Sequence, residues 1–180
     1  MISVEVIAVI GAGTAGRAFA LACARAGFRV VLEDVMPEKL RRAQDEYAAV
    51  AEELAGSLRY VTTVEDAVAD ADLAVDFVPD ELESKLEIFS LLDRMAPPRT
   101  ILCTPTNALS ITDLASCTYR AERCAGLRGG SLLGGDVELM RSRFLSPEVE
   151  AAVVSVWERL GVSLTVGVDV EPMLVKNQGR

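Results

Sequence analysis

Residues 6–16 read Val6-Ile7-Ala8-Val9-Ile10-Gly11-Ala12-Gly13-Thr14-Ala15-Gly16. The first five residues are apolar and all but Ala8 are β-branched, which is typical of a buried strand. The glycines that follow have the spacing G-x-G-x-x-G, and the Ala-rich residues 17–26 behind them predict a helix that Gly27 ends. A strand, a glycine turn and a helix in this order form the context in which the spacing binds a dinucleotide.

Each glycine of the turn has its own expected role. Gly11 allows the tight turn, Gly13 lets the backbone approach a pyrophosphate, and Gly16 lets the helix pack closely on the strand. The helix directs its unpaired N–H groups and the positive end of its dipole towards the phosphates. The predicted phosphate-binding segment is the whole turn, Gly11, Ala12, Gly13, Thr14, Ala15 and Gly16.

A second predicted strand, residues 29–34, ends in Asp34. An acid at about this distance from the first glycine accepts hydrogen bonds from the adenosine ribose. The same carboxylate would repel a 2′-phosphate, and no arginine follows it at once, so the sequence predicts NAD rather than NADP as the cofactor. The alternative is that Asp34 is a solvated acid at the end of a strand.

Composition and charge limit the possible functions. The chain has 180 residues, 51% of them hydrophobic, with a mean hydropathy of +0.29 and a formal net charge of −9. The longest uncharged run, residues 100–112, is too short to span a membrane, so the apolar content favours a buried parallel sheet. The negative charge argues against nucleic acids and anionic membranes as partners. The cysteine spacing fits no metal site, and we expect reduced cysteines in a cytoplasmic protein.

Strands and helices alternate along the rest of the chain. Further strands are predicted at residues 58–61, 73–78, 100–103, 122–127 and 162–168. Further helices are predicted at residues 37–54 and 63–70, from 82 to about 97, after Ser110, and from Ser146 to Gly161. This alternation predicts an α/β Rossmann fold, a doubly wound and mostly parallel sheet with helices on both faces. We expect one domain over residues 1–180, with a tail at 171–180 and a flexible Gly-rich loop at 129–135.

Several further stretches resemble the NAD-binding domain of the L-3-hydroxyacyl-CoA dehydrogenases. Beside the glycine turn and Asp34, they are residues 75–80 with Lys85, 106–112, 120–127 and 172–177. Together they extend over nearly the whole chain and are much more specific than the glycine spacing, which many families share. The resemblance implies an NAD-dependent oxidoreductase that acts on a hydroxyacyl or small hydroxy-acid substrate.

The resemblance also implies roles for individual residues. Asp80 stands where the family has a glutamate near the NAD ribose, and Lys85 stands where it has a lysine on the cofactor. Asn107 occupies the site of a family serine that contacts the substrate and the nicotinamide, and Asn177 matches an asparagine near the substrate. The alternatives are a solvated charge on a helix for Lys85 and an exposed polar residue of the tail for Asn177.

The catalytic residues of the family are not matched. Where the family has a catalytic histidine, this chain has Arg128, followed by two glycines and Ser131, and no histidine occurs anywhere in the sequence. An ungapped count puts Met140 at the family glutamate that orients the histidine, with Glu138 as the nearest acid. An arginine is always protonated and cannot be the base, although it could polarise a carbonyl or bind an anion.

No catalytic residue is therefore secure from the sequence, and the candidates are Asn107, Arg128, Ser131 and Asn177. Lys176 or Cys103 could carry the proton instead. Relative to the family, the helical hairpin that touches CoA is missing, and the chain ends where the helical second domain begins. Two hypotheses follow: an oxidoreductase whose hydroxyacyl-CoA dehydrogenase activity is lost or altered, or a non-catalytic NAD-binding sensor or partner subunit.

The sequence also predicts a homodimer. Met173, Leu174 and Val175 lie where the family chain enters its second domain, and the resemblance places Leu132 and Leu133 near the same side. Exposed together, these residues would form a larger apolar patch than monomers usually carry, and two-fold pairing is the commonest way to bury one. The alternative is that the tail folds back and covers the patch.

Overall fold

The computed structural model describes residues 1–175, and one mixed sheet runs through this part of the chain. Its eight strands are β1 (Val6–Ile10), β2 (Arg29–Glu33), β3 (Ser57–Val61), β4 (Leu73–Asp76), β5 (Ile101–Pro105), β6 (Cys124–Arg128), β7 (Glu138–Met140) and β8 (Thr165–Gly167). They lie in the order β3-β2-β1-β4-β5-β6-β7-β8. The first six strands are parallel, β7 is antiparallel to β6, and β8 is parallel to β7. The predicted doubly wound, mostly parallel fold is confirmed.

The helices begin and end at the residues that favour helix termini. Pro37 and Pro147 occupy first-turn positions, where a missing N–H costs nothing. The hydroxyls of Ser110 and Ser146 each accept a hydrogen bond from the backbone N–H three residues on. The helices are α1 (Thr14–Arg25), α2 (Pro37–Ala48), α3 (Val64–Val68), α4 (Leu82–Met95), α5 (Ile111–Ser116) and α6 (Pro147–Arg159), with 3₁₀ turns at Ala51–Glu53 and Ala121–Arg123.

Strand β1 lies at the point where the strand order reverses. All five of its residues are buried, and it pairs with β2 on one side and β4 on the other. In a doubly wound sheet, a crevice opens outside the carboxyl ends of the strands at such a point. The glycine turn follows the carboxyl end of β1, so the fold brings the motif to this crevice.

Two apolar cores cover the two faces of the sheet. One includes residues of α1, α2 and α6, and the other includes residues of α3, α4 and α5. In the first core, the fully buried Trp157 stacks on Phe19 with 5.5 Å between ring centroids. Cys23, Cys103 and Cys124 are buried, and Cys117 is exposed. Within residues 1–175, no helix has the length and apolar character needed to cross a membrane.

Several predicted boundaries are wrong, and strand β7 was not predicted. The strand has only three residues, too few to show an alternating pattern, and it exists because it pairs with β6. Helix α2 ends at Ala48 rather than at residue 54, because a 3₁₀ turn brings Leu54 back onto the core. Strand β4 ends at Asp76 rather than at residue 78, and β8 forms only at Thr165–Gly167.

The start of the tail folds back onto the domain. The buried carboxylate of Asp113 accepts hydrogen bonds from the backbone N–H groups of Met173 at 2.7 Å, Leu174 at 2.9 Å and Val175 at 3.3 Å. The side chain of Val175 is buried, whereas Met173 and Leu174 remain exposed. Leu132 is also buried, so the prediction that it joins an exposed patch is wrong.

Candidate cofactor site

The glycine turn has the geometry that its sequence predicts. Gly11 has φ +101°, a conformation that favours glycine. A Cβ on Gly16 would lie 1.9 Å from the carbonyl oxygen of Gly11, so only glycine permits this approach of α1 to the turn. A Cβ on Gly13 would meet no atom within 4 Å, which leaves open space beside the backbone where a pyrophosphate would lie.

Asp34 holds the turn from the side of β2. Its side chain is buried, with Oδ2 accepting from Ala12 N at 2.9 Å and Oδ1 accepting from Met36 N at 2.9 Å. Lys39 Nζ lies 3.9 Å from Oδ2. Asp34 is therefore not the solvated acid of the alternative interpretation. Since a carboxylate offers about four lone-pair sites, both oxygens retain capacity to accept ribose hydroxyls.

Arg17 holds the turn from the opposite side, and the sequence reasoning missed it. Its Nη1 donates to the carbonyl oxygen of Ala12 at 2.9 Å and its Nε to Glu46 at 3.0 Å, while its own carbonyl oxygen accepts from the Tyr47 hydroxyl. A cation in the first turn of a helix is unfavourable to the helix dipole, which was the available signal. The contact with Ala12 explains why an arginine occurs here.

Glu33 places a second buried acid beside Asp34. Only 3% of Glu33 is exposed. Burial, and secondarily the charge of Asp34, raises the pKa of the Glu33 carboxyl to about 7. The Glu33 carboxyl therefore gains or loses its proton near neutral pH.

A cleft of about 440 Å³ lies over the carboxyl ends of the central strands. It contains most of the predicted site residues, namely Gly13, Thr14, Ala15, Gly16, Asp80, Lys85, Asn107 and Ser131. Apolar side chains of Phe19, Phe77 and Leu127 form much of its remaining wall. Gly11, Ala12, Asp34 and Arg128 do not line the cleft, although Ala12 and Arg128 directly neighbour lining residues in the chain, and Asn177 and Lys176 lie outside the described residues.

The Lys85 side chain is buried and forms an ion pair. It is 1% exposed, and its Nζ lies 2.8 Å from Oδ1 of Asp76, which is fully buried. The solvated-charge alternative for Lys85 is therefore wrong. Asp76 was missed by the sequence reasoning, although an acid within the apolar residues 73–78 was a usable signal.

Asp80 and Asn107 link the loops that bound the far end of the cleft. Asp80 accepts from the hydroxyl of Thr106 at 2.6 Å and from the backbone N–H of Asn107 at 2.9 Å. The side-chain oxygen of Asn107 accepts in turn from Gly129 N at 3.3 Å. These contacts connect the segments after β4, β5 and β6 into one wall.

An arginine–glutamate pair occupies the position that the resemblance gives to the catalytic base. Arg128 pairs in register with Glu138 across β6 and β7, and its Nη2 and Nε lie 2.6 and 2.9 Å from Oε2 of Glu138. Both side chains are about one-third exposed. Glu138, and not the buried Met140 of the ungapped count, is the acid beside this position.

The Gly-rich loop closes the remaining side of the cleft. The hydroxyl of Ser131 accepts from Leu133 N at 3.2 Å, and the carbonyl oxygen of Leu132 accepts from Trp157 Nε1 at 2.8 Å. The indole of Trp157 therefore contacts the loop directly and also stacks on Phe19, which lines the cleft. We therefore expect its fluorescence to respond when a ligand enters the cleft.

Cys103 does not fit the role of proton carrier. Its thiol is fully buried in β5, and burial raises the pKa well above its usual range. A thiol that stays protonated and out of contact with the cleft cannot exchange a proton with a substrate. Of the candidates within residues 1–175, Asn107 and Ser131 line the cleft, whereas Arg128 does not.

This fold and this site define a doubly wound dinucleotide-binding domain. Residues 6–163 match the family model described as 3-hydroxyacyl-CoA dehydrogenase, NAD binding domain. The chain belongs to this family and is an NAD-binding domain of the 3-hydroxyacyl-CoA dehydrogenase type. The open space at Gly13, the lone pairs of Asp34 and the cleft beyond them suit the phosphates, the adenosine ribose and the nicotinamide half of NAD, respectively.

The similar proteins described below are each longer than this chain. It is 31% identical to a probable 3-hydroxybutyryl-CoA dehydrogenase from Bacillus subtilis, over 97% of this chain and 66% of that protein. It is 37% identical to 3-hydroxyadipyl-CoA dehydrogenase from Escherichia coli K12, over 71% and 30%. The structure of a 3-hydroxybutyryl-CoA dehydrogenase from E. coli K12 superposes with a TM-score of 0.85 at 29% identity, over 96% and 40%. The chain thus spans about one-third to two-thirds of the length of these proteins.

Proposed function

We propose that this protein binds NAD(H) in the described cleft and that ordinary 3-hydroxyacyl-CoA dehydrogenase activity is lost or altered in it. The observation that carries the proposal is the ion pair between Arg128 and Glu138 at the position of the family base. A guanidinium remains protonated at all working pH values, so it cannot take the hydroxyl proton during oxidation. Bound NAD would supply a hydride acceptor, and the hydroxyl proton would pass to solvent water in the cleft, because the guanidinium cannot take it.

An altered chemistry would use Arg128 as an electrophile. Its guanidinium can donate to a carbonyl or carboxylate oxygen while Glu138 holds it in place. Asn107 and Ser131, both in the cleft, add neutral hydrogen-bonding groups. Arg128, Asn107 and Ser131 together favour a small hydroxy-acid substrate with an anionic group over a neutral ester. We therefore include this substrate class in the proposed function.

The test uses purified protein in two steps. NADH binding is first measured by Trp157 fluorescence and calorimetry, and we expect saturable binding that is tighter than that of NADPH. Acetoacetyl-CoA reduction is then followed at saturating NADH, and we expect turnover well below the ordinary enzyme range of about 1–10³ s⁻¹. Turnover within that range would refute the loss of activity, and an absence of NADH binding would refute the proposal altogether.

A non-catalytic sensor or partner subunit is the second candidate function. The same ion pair favours it, because cofactor binding does not require a base. The two functions differ in their response to substrates. A panel of small 2- and 3-hydroxy acids, offered with NAD, should yield NADH if the chemistry is altered. No turnover with any acid, together with tight NADH binding, would favour the sensor.

Self-association through the tail remains part of the proposal. Met173 and Leu174 are exposed, as are Val166 and Val168 at the nearby edge strand β8. Together these apolar side chains are the surface that we expect a second copy to cover. Light scattering behind size exclusion should show a dimer, and Leu174→Asp should convert it to a monomer.

The control for this test is Tyr119→Asp, because Tyr119 is fully exposed but does not belong to the proposed surface. This variant should remain dimeric. A monomeric parent protein of 19.3 kDa would contradict the proposal, and so would a dimer that Leu174→Asp leaves unchanged. A cytoplasmic location also remains a proposal, and cell fractionation would test it.

A further inference from the structure

Three polar side chains are buried together beneath the cleft. Asp76 ends β4, Thr104 lies in β5, and Lys85 comes from the first turns of α4. Asp76 and Thr104 are fully buried and Lys85 is 1% exposed. Lys85 donates to Oδ1 of Asp76, whereas Oδ2 of Asp76 and the Thr104 hydroxyl make no hydrogen bond of good geometry within the described residues.

This arrangement is costly for stability. Burial raises the pKa of Asp76, and the neighbouring Lys85, the Thr104 hydroxyl and the backbone N–H of Val78 offset that shift only in part. Buried ion pairs are often no more stabilising than apolar side chains of the same volume. A carboxylate with one oxygen left without a good partner is less favourable still. The pair therefore requires an explanation other than stability.

The position of Lys85 supplies this explanation. Lys85 lines the cleft although it is almost inaccessible to solvent, so its ammonium points inward rather than along the helix surface. An ammonium has three N–H donors, and only one hydrogen bond, to Asp76, is formed among the described residues. Without a buried anion, a lysine side chain would extend to water. Asp80 and Glu81, exposed at the start of α4, would attract it outward.

We propose that Asp76 is a positioning residue that holds the Lys85 ammonium against the cleft, where it donates to oxygen atoms of the nicotinamide mononucleotide half of NAD. This inference rests on the proposed function. Asp34 marks the adenosine end beyond β2, whereas Lys85 and Asn107 lie beyond β4 and β5, on the other side of β1. AMP would fill only the adenosine end of the site, so the affinity for AMP should not depend on Asp76.

The experiment measures the affinities for NADH and AMP of the parent protein and of Asp76→Asn by calorimetry. A hydrogen bond from a charged group corresponds to a factor of about 10–100 in affinity. We expect Asp76→Asn to weaken NADH binding by about 10-fold or more and to leave the AMP affinity within about twofold. Asp76→Glu, which keeps the carboxylate, should recover part of the NADH affinity. Thr104→Val is the control, because it changes a neighbouring buried group without removing the anion.

A merely structural role for Asp76 would lower the melting temperature and either leave both affinities unchanged or lower them equally. Either result would overturn the inference. An unfolded Asp76→Asn would not prevent the test, because the double variant Asp76→Asn/Lys85→Met carries neither buried charge, and in Lys85→Met the buried Asp76 carboxyl can be neutralised by a proton. If Asp76 acts through Lys85, Lys85→Met and the double variant should bind NADH equally weakly. A weaker NADH affinity in the double variant than in Lys85→Met would also overturn the inference. A parent protein that binds AMP and NADH equally well would refute this inference alone, whereas one that binds neither would refute the proposed function.

Discussion

The glycine turn is tested most directly by Gly16→Ala, which adds one methyl group between α1 and the turn. An ideal Cβ on Gly16 would lie 1.9 Å from the carbonyl oxygen of Gly11, where real Cβ atoms stay beyond 3.0 Å. Helix and turn must therefore separate by about 1 Å, since the opposing atom is backbone and cannot rotate away. This displacement affects both the packing of α1 on β1 and the aim of its first N–H groups.

The expected cost follows from two opposing effects. Overpacking of a tight contact costs about 1–3 kcal/mol, and replacing glycine by alanine within a helix returns about 0.5–1 kcal/mol. We expect Gly16→Ala to lower the free energy of unfolding by about 1–2 kcal/mol, which lowers the melting temperature by roughly 2–8 °C in a chain of this size. NADH affinity should fall by at least about 10-fold, because the phosphate donors have moved.

Gly13→Ala is the matched control. Gly13 has φ −69°, and a Cβ there meets no atom within 4 Å, so the variant should stay within about 1 kcal/mol of the parent stability. It should nevertheless lose NADH affinity, because the methyl group occupies the approach to the pyrophosphate. Urea unfolding and NADH titration by Trp157 fluorescence measure both effects. A Gly16→Ala protein of parent stability, or a Gly13→Ala protein of parent affinity, would refute the reasoning.

Three further substitutions test the neighbouring groups. Asp34→Ala should weaken NADH binding about 10-fold or more and remove the preference over NADPH, since hydrogen bonds to a charged group contribute about 1.5–3 kcal/mol; calorimetry showing parent-like NADH affinity would contradict this. The Glu33 carboxyl keeps its proton to about pH 7 in the folded chain, against an ordinary value of 4.5, so the free energy of unfolding should fall as the pH rises between these values. Urea titrations should show that the free energy of unfolding is about 1–3 kcal/mol lower at pH 8 than at pH 5, and that this difference disappears in Glu33→Gln. An equal difference in the variant would show that Glu33 is not its cause. Arg128→Met should cost less than about 1 kcal/mol in urea, because its ion pair is partly exposed; a larger loss would show that the pair supports the fold.

The features that could be predicted from the sequence are those set by local pattern. Local pattern determines strand β1, the glycine turn and helix α1, because each depends on residues that are close in the chain. Over such short distances the period of apolar residues and the glycine spacing are informative. Asp34 was found for the same reason, because the motif fixes its place at the end of the next strand. The parallel direction of β1 to β6 followed from the alternation of strands and helices.

The features that could not be predicted depend on tertiary contacts between short segments. Strand β7 turns back beside β6 after a loop, and the pairing of Arg128 with Glu138 follows from that antiparallel register. An ungapped count carries no information on this pairing, so it pointed to Met140 and left Glu138 only as the nearest acid. The pairing of Asp76 with Lys85 similarly needs the turn between β4 and α4, although Asp76 was visible as a charge within an apolar stretch.

The two ends of the cleft differ in how firmly the rest of the chain holds them. Ala12 of the glycine turn is fixed on both sides, since its N–H donates to the buried Asp34 and its carbonyl oxygen accepts from the buried Arg17, each at 2.9 Å. The pair of Arg128 and Glu138 lies at the end of the sheet, where each side chain is about one-third exposed. A change at Arg128 therefore disturbs few packed atoms, whereas a change at Asp34 or Arg17 moves the turn itself. On the proposed function, cofactor binding and proton transfer would therefore be separable, because a change at Arg128 need not disturb Asp34 or Arg17.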